Sequence, residues 1–398
     1  RAIQKLEEML AEAAPGPRTD LVRKLVERAQ RYDDLRVDEV LKRPEYPDGV
    51  RKNFQHAVVY TADHVIGAPW ADHPIHPLKP GEQWNKGRRA SMTGQAYKLD
   101  AQGFPVNPFL STGVSGRGVI GLYGPNHAVD VGVLTIRPDE SGTPTLYAYG
   151  IMKGERAAFC GGFAEYKTQD SSGYVIGRPV WTRIQIKEFF EEMVSGSIVL
   201  DDASLRQAQE RYDQEIATRT AKRDGRPPAD QQCHEIRAQI ETALKLEQVL
   251  EKDPGFFFRL HIAFQSSIEC YAGPVRSSNR NTDTAWMETY LSWIFLDEAS
   301  WRHIRGENPP FDYQLSAGDD ADSVALHRID AEIMESATGT HSAMFLFMAA
   351  SFLLQAQREN TPVPESIVTQ MESVIAFIDK KIAAGPLPAL VSEHDPLI

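Results

Sequence analysis

Apolar residues recur along the chain at two spacings, one typical of strands and one typical of helices. Two alternating runs, at 129–138 and 144–153, flank the turn sequence DESGT and predict a β-hairpin. Other short apolar runs lie between turn-forming residues and also predict strands. These runs are at 56–64, 266–273, 287–296 and 323–330.

Helical spacing is found in most of the remaining chain. Residues 1–45 predict two or three short helices, in which Leu6, Met9 and Leu10 share one face. The other predicted helices are at 181–194, in a hairpin at 202–252 with its tip at DGRPPAD, and at 341–358 and 364–383.

These elements together predict an α+β protein, with a mixed sheet covered by helices and with further helical additions. The expected units are a helical N-terminal extension at 1–50, a loop-rich and strand-containing subdomain at 51–130, a main domain at 131–360 with the hairpin 201–252 as an insertion, and a C-terminal helix and tail at 361–398. Periodicity leaves open whether the helical additions form a homodimer, cover the functional site or dock a partner.

The charge balance narrows the classes of partner. The 398 residues include 43 Lys and Arg against 55 Asp and Glu, which gives a net charge of −12. Nucleic acids and anionic membrane surfaces attract clustered Lys and Arg, so neither is expected as the main partner. The most apolar run, Ala343–Leu354, falls well short of the ~20 residues that a membrane-spanning helix needs.

Cysteine usage and the first residues bear on the compartment. The three cysteines are well separated and form no disulfide framework. The chain starts with Arg and an amphipathic, acid-containing helix rather than a signal peptide, although a targeting segment could lie upstream. We therefore expect the cytoplasm or another reducing compartment.

Two patterns fit the spacing of binding motifs but lack the context that those motifs need. Gly116, Gly118 and Gly121 fit G-x-G-x-x-G, but Pro125 interrupts the helix that should follow, so a Gly-rich turn is favoured over a dinucleotide site. The histidines of residues 64–76 have a conceivable zinc spacing, but their Pro-rich loop gives no register to aim the rings.

Three glutamates on one predicted helix are the strongest candidates for chemistry. Glu188 precedes Glu191 by three residues and Glu192 by four, so all three can share one flank. A solvated acidic face would also explain them. However, the other side of this helix is strongly apolar, and the helix follows a strand and the Gly161-Gly162 loop. This order suits Mg²⁺ or Mn²⁺, which prefer oxygen ligands and could clamp a pyrophosphate and activate water.

A second acidic cluster, Asp319, Asp320 and Asp322, lies just before a predicted strand. By itself it is a turn with suitable Asp chemistry. Together with the glutamates it could supply a further metal ligand or the base that deprotonates water. Asp319 and Asp320 are therefore candidate catalytic residues.

Longer stretches resemble the ADP-ribose pyrophosphatase branch of the Nudix hydrolase family and the related ADP-ribose-binding domain of melastatin-type channels. These stretches are NPFLSTGVSGRGVIGLYGPNHAVD at 107–130, NRNTDTAWMET at 279–289, AGDDADSV at 317–324 and GTHSAMF at 339–345. The segments GGF and KEFFEEM also resemble a degenerate Nudix box. The resemblance covers about residues 55–355.

The resemblance implies a Nudix α/β/α sandwich and metal-dependent hydrolysis of ADP-ribose to AMP and ribose 5-phosphate. By motif position, Glu188, Glu191, Glu192 and the Gly161 carbonyl match the metal-binding groups of the box, and the glutamates are also the catalytic candidates. The candidate substrate-binding residues implied in the same way are Arg117, Arg280, Asn281, Asp283, Glu288, Thr340 and His341.

Departures from the family pattern keep two alternatives open. Lys187 stands where the box has Arg, Pro179 where it has an isolated Glu, and Val194 where it has its closing Gly. Ser277 and Ser278 replace paired aspartates. Altered supporting residues commonly reduce affinity or activity. The chain could therefore be an ADP-ribose-binding module with weak catalysis, or a Nudix hydrolase of another nucleoside diphosphate derivative.

Overall fold

The computed structural model describes residues 3–41, 58–164, 178–221, 227–228, 230–318 and 322–385. The helices in these ranges are α1 (Gln4–Glu12), α2 (Pro17–Leu41), α3 (Arg178–Met193), α4 (Asp202–Ala221), α5 (Asp230–Lys252), α6 (Pro254–Gln265), α7 (Glu298–Arg305), α8 (Ala331–Ser336), α9 (His341–Arg358) and α10 (Glu365–Ala384). The strands are β1 (Val58–Thr61), β2 (Val114–Gly118), β3 (Gly124–Pro138), β4 (Pro144–Lys153), β5 (Arg156–Ala158), β6 (Cys160–Phe163), β7 (Ile268–Pro274), β8 (Ala285–Phe295) and β9 (Ser323–Arg328).

The long strand β3 is the centre of a mixed seven-stranded sheet. One edge of β3 pairs in parallel with β8, and the other edge pairs antiparallel with β6 near Asp130 and with β4 further along. Strand β7 extends the sheet beyond β8, β9 pairs with the outer edge of β4, and the short β5 pairs with the end of β4. One edge of β3 is thus divided between β6 and β4, and Asp130, which pairs with Gly161 of β6, lies where the candidate site is found.

Helices cover both faces of this sheet, as side-chain alternation along the strands requires. Leu134 of β3 belongs to a core cluster with α1, α2, α9 and α10, whereas its neighbour Val133 belongs to a cluster with α3, α6 and α7. The predicted α+β class, with a mixed sheet and helical additions, is confirmed, and the layers form an α/β/α sandwich.

The two N-terminal helices belong to the main core. Leu25, Val22 and Ala29 of α2 are fully buried in the same cluster as α9. Leu6 of α1 is buried there as well. Burying such side chains stabilises the folded chain by about 1.5–3 kcal/mol each, so these helices stabilise the sandwich.

Helices α6 and α7 have clear local signals that the apolar spacing alone did not reveal. Each begins after an aspartate whose side chain accepts a hydrogen bond from the first turn: Asp253 from the Phe256 N–H and Asp297 from the Ser300 N–H. Pro254 occupies the first helical position of α6, where its missing N–H costs nothing.

The Gly-rich stretch forms a backbone contact between two strands. Gly116 has a φ of 95° and lies against the Tyr60 backbone, where β2 pairs in parallel with β1. A side chain at this position would overlap the Tyr60 carbonyl. The glycine is therefore explained by close strand packing.

Cys160, Cys233 and Cys270 are free thiols. Within the described residues, no helix is both long and apolar enough to cross a membrane.

Candidate functional site

A cleft of about 390 Å³ opens where β6 and β8 flank β3. Asp130 of β3, Gly161 of β6 and Thr289 of β8 form its floor. Thr289 Oγ1 donates a 2.5 Å hydrogen bond to Asp130 Oδ2. The three strands thus place a buried carboxylate at the bottom of the cleft.

Burial dominates the electrostatics of Asp130. The side chain is largely removed from water, and this raises the pKa of its carboxyl to about 7, while the Thr289 hydrogen bond and the Lys153 charge act in the opposite direction. Near neutral pH the floor of the cleft can therefore hold a proton or release it.

His341, at the start of α9, lines the cleft beside Asp130. The Phe159 N–H donates to His341 Nδ1 at 3.4 Å, so Nδ1 is the acceptor nitrogen and the neutral ring carries its proton on Nε2. Burial lowers the pKa of His341 to about 4, which keeps the ring neutral. His341 Nε2 is 3.9 Å from Asp130 Oδ1, and the ring can offer a ligand one N–H donor.

The carboxylates of α3 reach the glycine pair of β6. Glu192 Oε2 accepts a 2.6 Å hydrogen bond from the Gly161 N–H. The Glu188 carboxylate lies so close to Gly162 that a Cβ at that position would be 2.6 Å from Glu188 Oε2. Both glutamates are more than nine-tenths buried. Two of the three predicted glutamates therefore flank Gly161 and Gly162.

Two lysines accompany these glutamates. Lys187 Nζ lies 3.2 Å from Glu188 Oε1 and 2.8 Å from Glu191 Oε2. Partial desolvation lowers the Lys187 pKa, but the neighbouring carboxylates outweigh it and raise the pKa above its usual value. Lys153 Nζ lies 3.2 Å from Glu192 Oε1. Glu191 thus pairs with Lys187 on the outer side of α3.

In the described ranges no three His, Cys, Asp or Glu groups gather in a metal-binding arrangement, and the binding of divalent cations by Glu188, Glu191 and Glu192 stays a prediction. Glu191 Oε2 accepts a hydrogen bond from Lys187 Nζ, which also lies beside Glu188. The donor chemistry nevertheless fits a hard divalent cation, since Glu188 and Glu192 present buried carboxylate oxygens beside the same glycine pair.

Cationic side chains surround the mouth of the cleft. Lys153, Arg156, Arg280 and Arg36 all line it, against the carboxylates of Asp130 and Glu39. In a chain with a net charge of −12, this local excess of positive charge favours an anionic ligand.

Several predicted substrate-binding residues lie in the framework around the site. Arg117 is buried and donates to the Asp72 carbonyl. The Asn281 side-chain amide donates a hydrogen bond to the Val275 carbonyl and accepts one from the Met287 N–H. The Asp283 carboxylate accepts a hydrogen bond from Thr112 Oγ1. Each of the three is hydrogen-bonded to backbone groups of neighbouring loops, and its role in substrate binding stays a prediction.

Glu288 and Thr340 are also buried parts of this framework. Glu288 accepts hydrogen bonds from the Met92 N–H, from Ser91 Oγ and from Trp286 Nε1. Thr340 Oγ1 lies 3.0 Å from Ser277 Oγ. Only Arg280 and His341, of the seven predicted substrate-binding residues, line the cleft. Asp319 and Asp320 lie outside the described residues.

Sequence reasoning missed Asp130, Lys153, Arg156 and Arg36. Asp130 occupies a polar position in an otherwise apolar strand that was interpreted as ordinary alternation. The sequence does contain a signal for Asp130, because an ionisable residue with apolar neighbours on both sides in a central strand is rare unless it has a partner.

Comparison with known proteins supports the resemblance. A family model described as NUDT9-like, N-terminal domain, matches residues 52–124. The chain is 27% identical over 272 residues to the mitochondrial ADP-ribose pyrophosphatase of Rattus norvegicus, covering 67% of this chain and 61% of that protein. It is 25% identical over 287 residues to transient receptor potential cation channel subfamily M member-like 2 of Nematostella vectensis, covering 69% of this chain and 14% of the channel.

A third relative, putative nudix hydrolase 6 of Caenorhabditis elegans, is 42% identical over 76 residues, which are 18% of this chain and 29% of that protein. The chain spans less than two thirds of the length of each of these three relatives. In sequence and in fold, the chain resembles the Nudix hydrolases with a NUDT9-like N-terminal domain, and the resemblance predicted from its motifs is confirmed.

Proposed function

We propose that the chain binds ADP-ribose in the cleft beside β6 and hydrolyses its pyrophosphate to AMP and ribose 5-phosphate. The observation that carries the proposal is the position of Glu188 and Glu192, whose carboxylates flank the Gly161-Gly162 pair at the wall of a cationic cleft. The choice of ligand and reaction is supported by two of the similar proteins, an ADP-ribose pyrophosphatase and a putative nudix hydrolase.

The cationic mouth of the cleft accounts for ligand binding. The pyrophosphate of ADP-ribose carries two negative charges, which the acidic surface of this chain would repel. Arg280 and Arg156 can donate charge-assisted hydrogen bonds to its oxygens, and Lys153 adds a point charge. These side chains would hold the diphosphate over the floor formed by Asp130.

The hydrolysis needs a water placed against one phosphorus atom and a neutralised diphosphate. Mg²⁺ or Mn²⁺, when bound, would be held by Glu188 and Glu192 and would supply charge compensation. The His341 Nε2–H would orient a ligand oxygen. Attack of water breaks one P–O bond of the bridge, and the two products each carry one phosphate.

The direct test is to incubate the whole chain with ADP-ribose and Mg²⁺ or Mn²⁺ and to separate the products by ion-exchange chromatography. The expected result is equal amounts of AMP and ribose 5-phosphate, and their loss when EDTA is added. Intact ADP-ribose at high protein concentration with either cation would contradict hydrolysis.

A second candidate function is ADP-ribose binding with little or no turnover. The contacts of Lys187 with Glu188 and Glu191 favour it, because these ammonium–carboxylate pairs compete with a divalent cation. Calorimetry that shows tight ADP-ribose binding, combined with no AMP in the assay above, would select this function. Ligand that binds only the folded chain must also raise its melting temperature.

A further inference from the structure

The last turn of α2 forms a wall of the cleft, although α2 lies before the segment 52–124 that the family model matches. Arg36, Glu39 and Val40 line the cleft together with Arg280 from the loop before β8. The N-terminal helix therefore contacts the space where a ligand would lie.

Three contacts hold this end of α2 in place. Arg36 Nη2 donates to the Ala337 carbonyl at 3.3 Å, and Tyr32 Oη donates to the Met334 carbonyl at 3.2 Å. Arg276 Nη1 lies 2.6 Å from Asp34 Oδ1. Arg276 directly precedes Ser277, which lines the cleft, so α2 is fixed to the rim through Asp34 and through Arg36 itself.

The Arg36 guanidinium is preorganised for an anion. Its side chain is 22% exposed, and Nη1 lies 3.4 Å from Glu39 Oε2. Such a long, partly exposed pair contributes little stability, and a phosphate oxygen can compete for the same donor. A guanidinium has five N–H donors in a planar fork, and the two contacts with Ala337 and Glu39 engage two of them.

We propose that Arg36 is a ligand-binding residue of the cleft, donating to an oxygen of the bound nucleoside diphosphate sugar, so that α2 completes the site. This inference rests on the proposed function, because that function supplies the anionic ligand. Arg36 adds a directed donor to the lining of the cleft, which it shares with Arg280. The N-terminal helices are then part of the binding site as well as of the core.

The test compares Arg36→Gln with two matched variants of the same helix in the full chain. Arg31→Gln removes the same charge from an exposed position outside the cleft lining, and Tyr32→Phe removes a tether of α2 without touching the cleft. Isothermal calorimetry with ADP-ribose and Mg²⁺ should show the Kd raised on the order of tenfold in Arg36→Gln and changed less than about twofold in the others.

Each outcome decides the inference. An unchanged Kd in Arg36→Gln, with normal binding by the unmodified chain, overturns it and leaves the proposed function standing. An equal rise of the Kd in Tyr32→Phe would mean that Arg36 acts only by holding α2 in place. An equal rise in Arg31→Gln would mean that Arg36 acts only through its long-range charge. Either result overturns the inference. Absence of ADP-ribose binding by the unmodified chain overturns both proposals. If Arg36→Gln does not fold, Arg36→Lys takes its place in the comparison. Lysine keeps the charge but lacks the planar fork, so a smaller rise of the Kd is expected.

Discussion

Glu192 is bound to the sheet through Gly161: its Oε2 accepts the Gly161 N–H at 2.6 Å, and its Oε1 lies 3.2 Å from Lys153 Nζ. This contact directs a carboxylate of α3 to Gly161 of β6, which itself lines the cleft. An amide oxygen can accept the same hydrogen bond but carries no charge for a cation. Replacing Glu192 with Gln would therefore keep the hydrogen bond to Gly161 and remove only the negative charge.

Glu192→Gln should keep the fold and lose cation-dependent turnover. We expect kcat for AMP formation to fall about a hundredfold or more, because the variant loses a charged oxygen ligand. The melting temperature should change little, and the exposed Glu210→Gln is the control. Turnover that persists in Glu192→Gln would place the cation elsewhere.

Gly162→Ala should displace the Glu188 carboxylate. A Cβ at Gly162 would lie 2.6 Å from Glu188 Oε2, so the glutamate must move away from the glycine pair. We expect turnover to fall at least about tenfold, since small displacements of positioned groups are costly. Gly16→Ala, where nothing lies within 4 Å of the new Cβ, is the matched control. Equal activity in the two variants would contradict a role for the Glu188 position.

Glu288→Ala should destabilise the fold rather than weaken ligand binding. Removing the buried carboxylate leaves the donors of Met92, Ser91 and Trp286 without their acceptor. We expect the free energy of unfolding to fall by about 3 kcal/mol or more, measured by urea denaturation. Glu298→Ala, at an exposed position, should change it by less than about 0.5 kcal/mol. A stable variant with weakened ADP-ribose binding would restore Glu288 to the binding site.

Asp33 should make stability depend on pH. Burial raises the pKa of this carboxyl from 3.8 to about 6, although Arg276 opposes the shift. Between these pKa values the folded chain keeps the proton and the unfolded chain releases it, so this contribution to stability falls as pH rises. At 1.36 kcal/mol per unit, the loss by pH 7 is about 3 kcal/mol.

Asp33→Asn cannot ionise, so its free energy of unfolding relative to the unmodified chain should rise by up to about 3 kcal/mol between pH 4 and pH 7. Urea denaturation at both pH values measures this difference. Asp38→Asn, an exposed position on the same helix, should show a nearly constant difference. If Asp33→Asn also showed a nearly constant difference in the free energy of unfolding, the burial of the Asp33 carboxyl would be contradicted.

Local signals made much of the fold predictable. The alternation on both sides of 139–143 gave the β3–β4 hairpin, whose register pairs Ile136 with Leu146. The helical hairpin at 202–252 appears as α4 and α5, and the helix predicted at 341–358 coincides with α9. In each case the information lies within one or two neighbouring elements.

Long-range relationships were not accessible in the same way. The parallel pairing of Val129 with Tyr290 joins residues far apart in sequence, and no spacing encodes it. The same holds for the cleft, which takes Asp130 from β3, Lys153 from the end of β4 and Arg36 from α2. Motif position likewise could not reveal that Glu288 points into packed framework instead of the cleft.

Cation binding by Glu188 and Glu192 can be measured in a crystal structure of the whole chain with ADP-ribose and Mn²⁺, with anomalous scattering used to locate the ion. We predict an anomalous peak between the Glu188 and Glu192 carboxylates, and the pyrophosphate of the ligand beside Arg280. Nucleotide bound in the cleft with no manganese at these two glutamates would contradict this prediction.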